Sequence, residues 1–256
     1  MPAPKILILR APGTNCDRET AYAFSRAGGV AELVHVNALL ENSRQLADYQ
    51  ILCFPGGFSY GDDISAGRIL ARQIRHHLAD VVSEFRDADK LVLGICNGFQ
   101  VLIKSGMLLD DPAATLTWNQ LGRFEDRWVR VAVAGKKCVF LEGIESMFLP
   151  IAHAEGKFVT RDGDVLGALD QNGQLVLRYA DAEGRYASTL DFPMNPNGSL
   201  ANVAGLCDET GRVLGMMPHP ERHIDPTHHP QWTRLPPTDQ ADGLRFFENA
   251  VRYFAS

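Results

Sequence analysis

The first hundred residues alternate between short apolar runs and stretches of helical periodicity, and this alternation restricts the possible folds more than any other feature. The apolar runs predicted as strands are residues 5–9, 31–36, 50–54 and 90–95. Helices are predicted over residues 16–28, with Asn15 as a cap and Gly28 as the end, and over 64–86, where an apolar stripe begins at Ile64. Strands that alternate with helices form βαβ units. The sequence therefore predicts an α/β fold, an open, mostly parallel sheet with helices on both faces.

The pattern changes between about residue 115 and residue 218. Four strand-like runs, RWVRVAV, QLVLRYA, NVAGLCD and RVLGMM, are separated by turns rich in Gly, Asn and Asp. This half is predicted to extend the sheet with antiparallel strands. Leu244, Phe247, Val251 and Phe254 then lie at helical spacing, so a last helix is predicted to pack on the sheet. We find no internal repeat and no linker, and we expect residues 1–256 to form a single domain.

The composition argues against several classes of protein. The chain has 256 residues, a net charge of −6 and no basic run longer than two residues, which argues against nucleic-acid binding. No apolar stretch approaches the ~20 residues that a membrane span needs. Its five cysteines are widely spaced and include no CxxC pair, which argues against a disulfide framework or a structural zinc site. We expect a cytoplasmic protein with no membrane contact.

Cys96 lies where a predicted strand becomes a helix, between Gly94 and Gly98. A nucleophile on such a turn is presented at the carboxyl edge of the sheet, and the helix amino terminus behind it favours the thiolate. Small neighbours are needed there because the strand and the helix cross closely. The alternative is that Cys96 is a small, inert core residue, which is the more common role of a single free cysteine.

A base for this nucleophile is predicted in the segment MPHPER, where His219 and Glu221 are two residues apart. In extended backbone, both side chains would point to the same face at the end of a strand. Glu221 could then hold one imidazole nitrogen while the other faces Cys96. Taken alone, this short motif is more often part of a surface loop.

The loop CFPGGFSYGDD follows a third strand and opens at the same edge of the sheet. Gly56 and Gly57 would let the backbone approach a ligand closely, and an N–H of this loop could act with that of Asn97 as an oxyanion donor. The alternative is a tight turn. The chain contains neither of the common glycine-rich phosphate-binding motifs.

Three of these motifs, GICNGFQ, PGGFSYGD and MPHPER, resemble in this order the class I, triad-type glutamine amidotransferases, which have a flavodoxin-like sheet. The further stretches APGTNCDRET, WNQLGRFEDRWVRV, PIAHAEGKF and NPNGS are similar to the glutamine amidotransferase subunits of phosphoribosylformylglycinamidine synthases. The resemblance runs from residue 5 to about residue 223.

The resemblance implies an activity and a set of site residues. Cys96 would attack the side-chain amide of L-glutamine to form a thioester and release ammonia, with His219 as base, Glu221 as its orienting group, and the N–H groups of Gly57 and Asn97 as oxyanion donors. The glutamine pocket would be bordered by Gln100, Asn119, Gly122 and Phe124. We interpret His153 and Glu155 of PIAHAEGKF as a wall of the active-site mouth or as the contact with the synthetase subunit, and not as a second triad. We expect both side chains to be exposed.

The resemblance also implies partners and cofactors. The ammonia would pass to a large synthetase subunit, and a small accessory subunit would complete the complex that serves purine biosynthesis. ATP and Mg²⁺ are expected only on the synthetase subunit, so we predict no cofactor and no metal on this chain.

The chain departs from the family pattern in places. Leu121 and Ala154 replace residues that are usually Ser and Gly, and residues 224–240 form an insertion. His223, His228 and His229 lie in or beside this insertion, but no carboxylates stand at ligand spacing near them, so we predict an ordered loop.

Two other interpretations remain open from the sequence. One is a different hydrolase with a cysteine elbow, such as a peptidase or a deglycase, and the other is a catalytically silent scaffold. Glutamine hydrolysis measured against peptide hydrolysis would separate the first from the leading hypothesis.

Overall fold

The computed structural model describes residues 2–109, 113–186, 189–236 and 240–255. In these ranges the strands are β1 (Lys5–Arg10), β2 (Val30–His35), β3 (Ile51–Phe54), β4 (Leu91–Ile95), β5 (Ala114–Thr117), β6 (Glu125–Val133), β7 (Ser146–His153), β8 (Lys157–Thr160), β9 (Leu177–Ala180), β10 (Val203–Cys207) and β11 (Val213–Met216). The α-helices are α1 (Asp17–Arg26), α2 (Val36–Glu41), α3 (Arg68–His77), α4 (Ala79–Asp87), α5 (Asn97–Ser105), α6 (Gly163–Gln171) and α7 (Asp242–Arg252).

Nine strands form one sheet in the order β2-β1-β3-β4-β11-β10-β9-β6-β7. The five strands from β2 to β11 pair in parallel, and the four from β10 to β7 continue the sheet antiparallel. Strands β5 and β8 form a separate antiparallel pair. The predicted parallel sheet with an antiparallel extension is therefore confirmed.

The parallel strands are buried because helices cover them on both faces. Every residue of β3 and β4 is buried, as expected for near-continuous apolar strands in this kind of sheet. Helix α1 packs with α7 through the edge-to-face rings of Phe24 and Phe247, whose centroids are 4.9 Å apart, while α3 packs with α5. These layers leave the carboxyl ends of β3, β4 and β11 side by side at one edge of the sheet.

Some predicted boundaries are wrong. The helical pattern at 64–86 forms two helices that meet at Leu78, and Ile64 lies outside both with 67% of its surface exposed. The reason is that Gly67 adopts a left-handed backbone conformation, so α3 begins only at Arg68. Asn15 does not cap α1, because its side-chain oxygen accepts a hydrogen bond from the thiol of Cys16 instead.

The predicted insertion at 224–240 is described except for Pro237, Thr238 and Asp239, which lie outside the described residues. It contains two short 3-10 turns, Pro226–His228 and Trp232–Arg234. The rings of His223 and His229 pack against Trp128. No helix in the described part of the chain is long and apolar enough to cross a membrane.

Candidate active site

Cys96 occupies the turn between β4 and α5, in a backbone conformation that only a constrained residue adopts. Its φ is +52° and its ψ is −104°, which is a strained combination for a residue with a side chain. Its N–H donates to the carbonyl of Met216 at 2.8 Å, which ties the turn to the end of β11. The surrounding sheet holds the strain, and the Cys96 sulfur lies 3.7 Å from the carbonyl oxygen of Ala152 in β7. A strained residue on a turn from strand to helix is the arrangement of a nucleophile elbow.

The two glycines beside Cys96 are explained by packing. A Cβ at Gly98 would lie 1.9 Å from the carbonyl oxygen of Phe54, and a Cβ at Gly94 would lie 2.6 Å from the carbonyl oxygen of Gly98. Any larger residue would force β3, β4 and α5 apart. The close crossing of strand and helix expected from the sequence is present.

His219 and Glu221 lie beside the elbow because β11 pairs in parallel with β4. The Nδ1–H of His219 donates to Oε1 of Glu221 at 2.6 Å, and both side chains are buried. The expectation of extended backbone is wrong here, since residues Pro220–Arg222 form a 3-10 turn. The turn brings the imidazole and the carboxylate together directly.

The environment of His219 favours its charged form. Burial lowers the pKa of His219, but the negative charge of Glu221 and the electrostatic interaction with Cys96 outweigh burial and raise that pKa well above its usual value. Interactions with the side chains of Cys16 and Cys96 contribute to the same rise. Nε2 of His219 is buried, and no nitrogen or oxygen atom of the described residues forms a hydrogen bond with it. This nitrogen is therefore free to exchange a proton with a nucleophile or a substrate.

The glycine loop between β3 and α3 is anchored to the segment that follows β1. Gly57 has a φ of +140°, and a Cβ there would lie 2.7 Å from the backbone nitrogen of Asn15. The N–H groups of Phe58 and Tyr60 donate to the carbonyls of Gly13 and Pro12, at 2.9 and 2.7 Å. Close backbone contacts within this chain therefore explain Gly57, and the approach of the loop to a ligand stays a prediction.

Asn97 and Gln100 connect the elbow to that loop and to the end of β7. The Asn97 side-chain oxygen accepts from the N–H of Ser59 at 3.2 Å, and its amide donates to Oε1 of Gln100 at 2.9 Å. The Gln100 amide donates in turn to the carbonyl of Glu155 at 2.6 Å. Gln100 is predicted to border the glutamine pocket, and both of these hydrogen bonds join its side chain to neighbouring groups of the protein.

Asn119 is equally committed to internal hydrogen bonds. Its side-chain oxygen accepts from the Gly156 N–H at 3.0 Å and from Nδ1–H of His153 at 3.1 Å, and its amide donates to the carbonyls of Arg123 and His153. Asn119 therefore holds together the chain segments at Arg123, His153 and Gly156, which form one wall of the site.

Two further predicted pocket residues lie at the rim. Gly122 has a φ of +64°, so it turns the loop that follows Asn119. Phe124 is exposed and stacks on Phe58, with ring centroids 6.4 Å apart. The two residues that depart from the family pattern lie nearby. Leu121 is exposed in this loop. The carbonyl of Ala154 accepts a hydrogen bond from the N–H of Asn119 at 2.7 Å.

The interpretation of His153 and Glu155 as an exposed pair is wrong. His153 is buried, because β7 pairs with β6 along its whole length and the ring then packs over Gly156. Glu155 accepts from the N–H of Ala66 at 3.2 Å and forms an ion pair with Lys104 at 3.6 Å. Burial, and then the charge of His219, lowers the pKa of His153 to about 3, so its ring is neutral at neutral pH.

Cys16 is a part of the site that the sequence analysis missed. Its sulfur accepts from a guanidinium N–H of Arg222 at 3.1 Å, and burial raises the pKa of its thiol. A Cβ at Gly56 would lie 3.0 Å from this sulfur and 2.8 Å from Cε1 of His219, so Cys16 borders the imidazole. Its place in the stretch GTNCD, between β1 and α1, is the one signal that could have indicated this.

The described ranges contain one group of potential metal ligands, formed by Cys16, His219 and Glu221. Their ligand atoms lie within 4.8 Å of one another. The 2.6 Å between His219 and Glu221 is a hydrogen bond, shorter than the ~3.4 Å between neighbouring ligands of a tetrahedral zinc ion. The donor set therefore fits a proton-transfer pair better than a metal centre.

Comparison with known proteins identifies the family of this chain. The family described as the CobB/CobQ-like glutamine amidotransferase domain matches residues 3–254. The PurQ subunit of phosphoribosylformylglycinamidine synthase from Dehalococcoides mccartyi is 46% identical, over 97% of this chain and 97% of its own length. The chain belongs to the PurQ family of glutamine amidotransferases.

Two further matches support the same placement. The PurQ subunit from Pyrococcus furiosus is 36% identical over 98% of this chain and 99% of its own length. A chain in the structure of PurLQS from Thermotoga maritima matches with a TM-score of 0.74 and 30% identity, over 98% of this chain and 99% of that one. Membership of the PurQ family sets aside the interpretation as a peptidase or deglycase.

Proposed function

We propose that this chain is the glutaminase subunit of a phosphoribosylformylglycinamidine synthase, with Cys96 as nucleophile, His219 as base and Glu221 as the group that orients the base. It releases ammonia from glutamine and delivers it to an ATP-dependent synthetase subunit in purine biosynthesis. The observation that carries the assignment of roles is the buried His219–Glu221 hydrogen bond beside a strained cysteine elbow, in a chain of the PurQ family.

The first half of the reaction forms a thioester. The Cys96 thiolate attacks the side-chain carbonyl carbon of glutamine, and the carbonyl oxygen becomes an oxyanion that the N–H groups of Gly57 and Asn97 stabilise. When the tetrahedral intermediate collapses, the C–N bond breaks, and the protonated imidazole of His219 gives its proton to the leaving nitrogen. Ammonia and the glutamyl thioester result.

The second half regenerates the enzyme. Nε2 of His219 takes a proton from a water molecule, which attacks the thioester carbonyl and releases glutamate and the Cys96 thiolate. Glu221 stabilises the imidazolium through Nδ1–H in both halves, which fits the raised pKa of His219.

The remaining parts of the proposal concern the complex. We propose that residues 1–256 act as one domain, in line with the family match over residues 3–254. ATP and Mg²⁺ are assigned to the large synthetase subunit, a small accessory subunit completes the assembly, and the complex is placed in the cytoplasm. No cofactor is assigned to this chain.

The decisive experiment compares two nitrogen sources in the assembled complex. Cys96→Ala should abolish amidine formation from glutamine and spare formation from added ammonia, because the thiolate is needed only for the amide step. Cys207→Ala is the matched control, since Cys207 is buried in β10: it should lower the free energy of unfolding by about 1–2 kcal/mol and leave glutamine use intact. Glutamine-dependent synthesis near the wild-type rate in Cys96→Ala would refute the assignment.

We also propose that assembly activates the glutaminase. One oxyanion donor contributes about 3–4 kcal/mol to lowering the barrier, so a small displacement of the Gly57 N–H would reduce the rate by roughly a hundredfold. The glutaminase rate of the purified chain should therefore rise when the partner subunits are added. A full rate in isolation, unchanged by the partners, would refute activation by assembly.

A further inference from the structure

A basic groove lies on the outer face of α3 and α5. Its cationic lining consists of Arg68, Arg72, Arg75 and His76 of α3 and Lys104 of α5. The opposite wall is formed by β5 and by Trp118, which follows it, and Glu155 lies at one end. The groove has a volume of about 770 Å³. We refer to these residues together as the basic groove.

The charges of the groove are arranged along a line. Arg68, Arg72 and Arg75 are spaced by four and three residues, so their side chains lie in one row on α3, and all three are exposed. Within the described ranges none of the three forms an ion pair. Like charges at this spacing destabilise a helix slightly. A chain with a net charge of −6 therefore concentrates positive charge on one surface at some expense of stability.

Exposed aromatic side chains continue the same surface. Trp118 lines the groove and leaves 58% of its surface exposed. It begins the loop that ends with Phe124, which stacks on Phe58 at the rim of the candidate active site, and these two residues are 47% and 44% exposed. Arg, Trp and other aromatic residues are enriched at the centres of protein interfaces.

Hydrogen bonds link the groove to the elbow. Lys104 pairs with the Glu155 carboxylate, and the Glu155 carbonyl accepts from Gln100 at 2.6 Å. Gln100 accepts from Asn97, the residue next to Cys96, and Asn97 accepts from the Ser59 N–H of the glycine loop. A molecule seated in the groove would thus contact the outer end of a chain of hydrogen bonds that reaches the proposed oxyanion donors.

We propose that the basic groove is the docking site for an acidic segment of the synthetase subunit, with Trp118 as its apolar anchor. This inference rests on the proposed function and names the surface through which that function is coupled to the complex. A polypeptide fits better than a single phosphate, because the three arginines extend along roughly 10 Å of helix instead of converging on one point. The exposed indole beside them has no role in binding a small anion.

The test is a binding measurement with the purified synthetase subunit. Arg72→Glu/Arg75→Glu should weaken binding about tenfold or more, and the wild-type affinity should fall with added salt more steeply than that of the variant. The matched control is Arg26→Glu/Arg44→Glu, which makes the same change of charge at exposed residues outside the groove. The control should bind like the wild type, and both variants should keep the glutaminase rate of the isolated wild-type chain.

The possible outcomes separate the docking proposal from the proposed function. Wild-type affinity and salt dependence in Arg72→Glu/Arg75→Glu, with ammonia transfer intact, would overturn the docking site and leave the function standing. Equal weakening in the control would show that only net charge matters, which also overturns it. Binding of inorganic phosphate by the isolated chain, lost in the groove variant while subunit binding is retained, would make the groove a small-anion site instead. Failure of the wild type to bind the synthetase subunit or supply it with ammonia would refute the proposed function itself, and the docking proposal with it.

Discussion

Two His-x-Glu pairs in this chain have the same spacing and opposite electrostatics. His219 and Glu221 are joined by a hydrogen bond of 2.6 Å, and the negative charges around His219 raise its pKa. His153 and Glu155 contact different groups: His153 donates to the Asn119 side chain, and Glu155 pairs with Lys104. Without a carboxylate on its ring, His153 has a pKa lowered to about 3 by burial.

The difference follows from the backbone that carries each pair. A 3-10 turn after β11 folds Glu221 back onto its histidine, whereas the end of β7 sends His153 into the wall of the site and Glu155 towards α3 and α5. Both rings are buried, so burial alone does not make a base. A buried imidazole becomes a proton acceptor at neutral pH when a carboxylate compensates for the desolvation of its charged form.

The largest expected effect separates the two histidines by activity. His219→Ala should lower the glutaminase kcat by about a thousandfold or more, because the thiol loses its base. His153→Gln, whose amide can still donate to Asn119, should keep kcat within about tenfold of wild type, since His153 transfers no proton in the proposed mechanism. The measurement is glutamate release in the assembled complex. A loss of kcat in His153→Gln as large as that in His219→Ala would contradict the assignment of His219, and not His153, as the base.

The two carboxylates should separate in the same way, with a smaller effect. Glu221→Gln should lower kcat by roughly a hundredfold or more, yet less than His219→Ala, because an amide can position the ring but does not stabilise imidazolium. Glu155→Gln should leave the acid–base steps intact, because it removes only the charge facing Lys104. The pH profile of kcat distinguishes them: it should shift in Glu221→Gln and stay in place in Glu155→Gln. A wild-type rate in Glu221→Gln would remove Glu221 from the site.

A glycine packs against each imidazole, which allows a smaller and more local test. A Cβ at Gly56 would lie 2.8 Å from Cε1 of His219, and a Cβ at Gly156 would lie 2.2 Å from Cε1 of His153. Each Gly→Ala variant should lose about 1–3 kcal/mol of unfolding free energy through overpacking. Gly56→Ala should in addition lose activity by about tenfold or more, because it displaces the proposed base. Gly167→Ala, in α6 with nothing within 4 Å of the added methyl group, is the control and should be neutral or slightly stabilising. Equal activities in the Gly56 and Gly156 variants would contradict the distinction.

The features predicted correctly from sequence are those fixed by nearest neighbours along the chain. The apolar runs of β1, β3 and β4 and the glycines around Cys96 are local patterns, and a parallel sheet with an elbow follows from them. The antiparallel extension was also predictable in kind, because its strands are separated by short turns rich in glycine and asparagine.

The features that were mispredicted depend on contacts between distant segments. His153 is buried by the pairing of β7 with β6 and by its contact with Asn119. Neither contact can be predicted from the stretch PIAHAEGKF alone. Cys16 was missed because its neighbour in space, Arg222, is 206 positions away in sequence. Spacing within a motif predicts which side chains could meet, and the tertiary contacts decide which of them do.

The last and most graded prediction is the pH dependence of stability, where the two histidines act in opposite directions. Between about pH 3 and pH 6.5 the unfolded chain protonates position 153 and the folded chain does not, so the contribution of His153 to stability falls as the solution is acidified. The expected loss is roughly 2 kcal/mol between pH 7 and pH 5. His219 has a raised pKa in the folded chain, so its contribution is present below about pH 6.5 and is lost as the pH rises through the folded-state pKa.

Denaturant unfolding of the wild type and of His153→Gln at pH 7, 6 and 5 isolates the effect of His153: the stability advantage of the wild type should shrink by roughly 2 kcal/mol across that range. A constant advantage would mean that the His153 ring is protonated as easily in the folded chain as in the unfolded one, and the contrast between the two pairs would then rest on geometry alone.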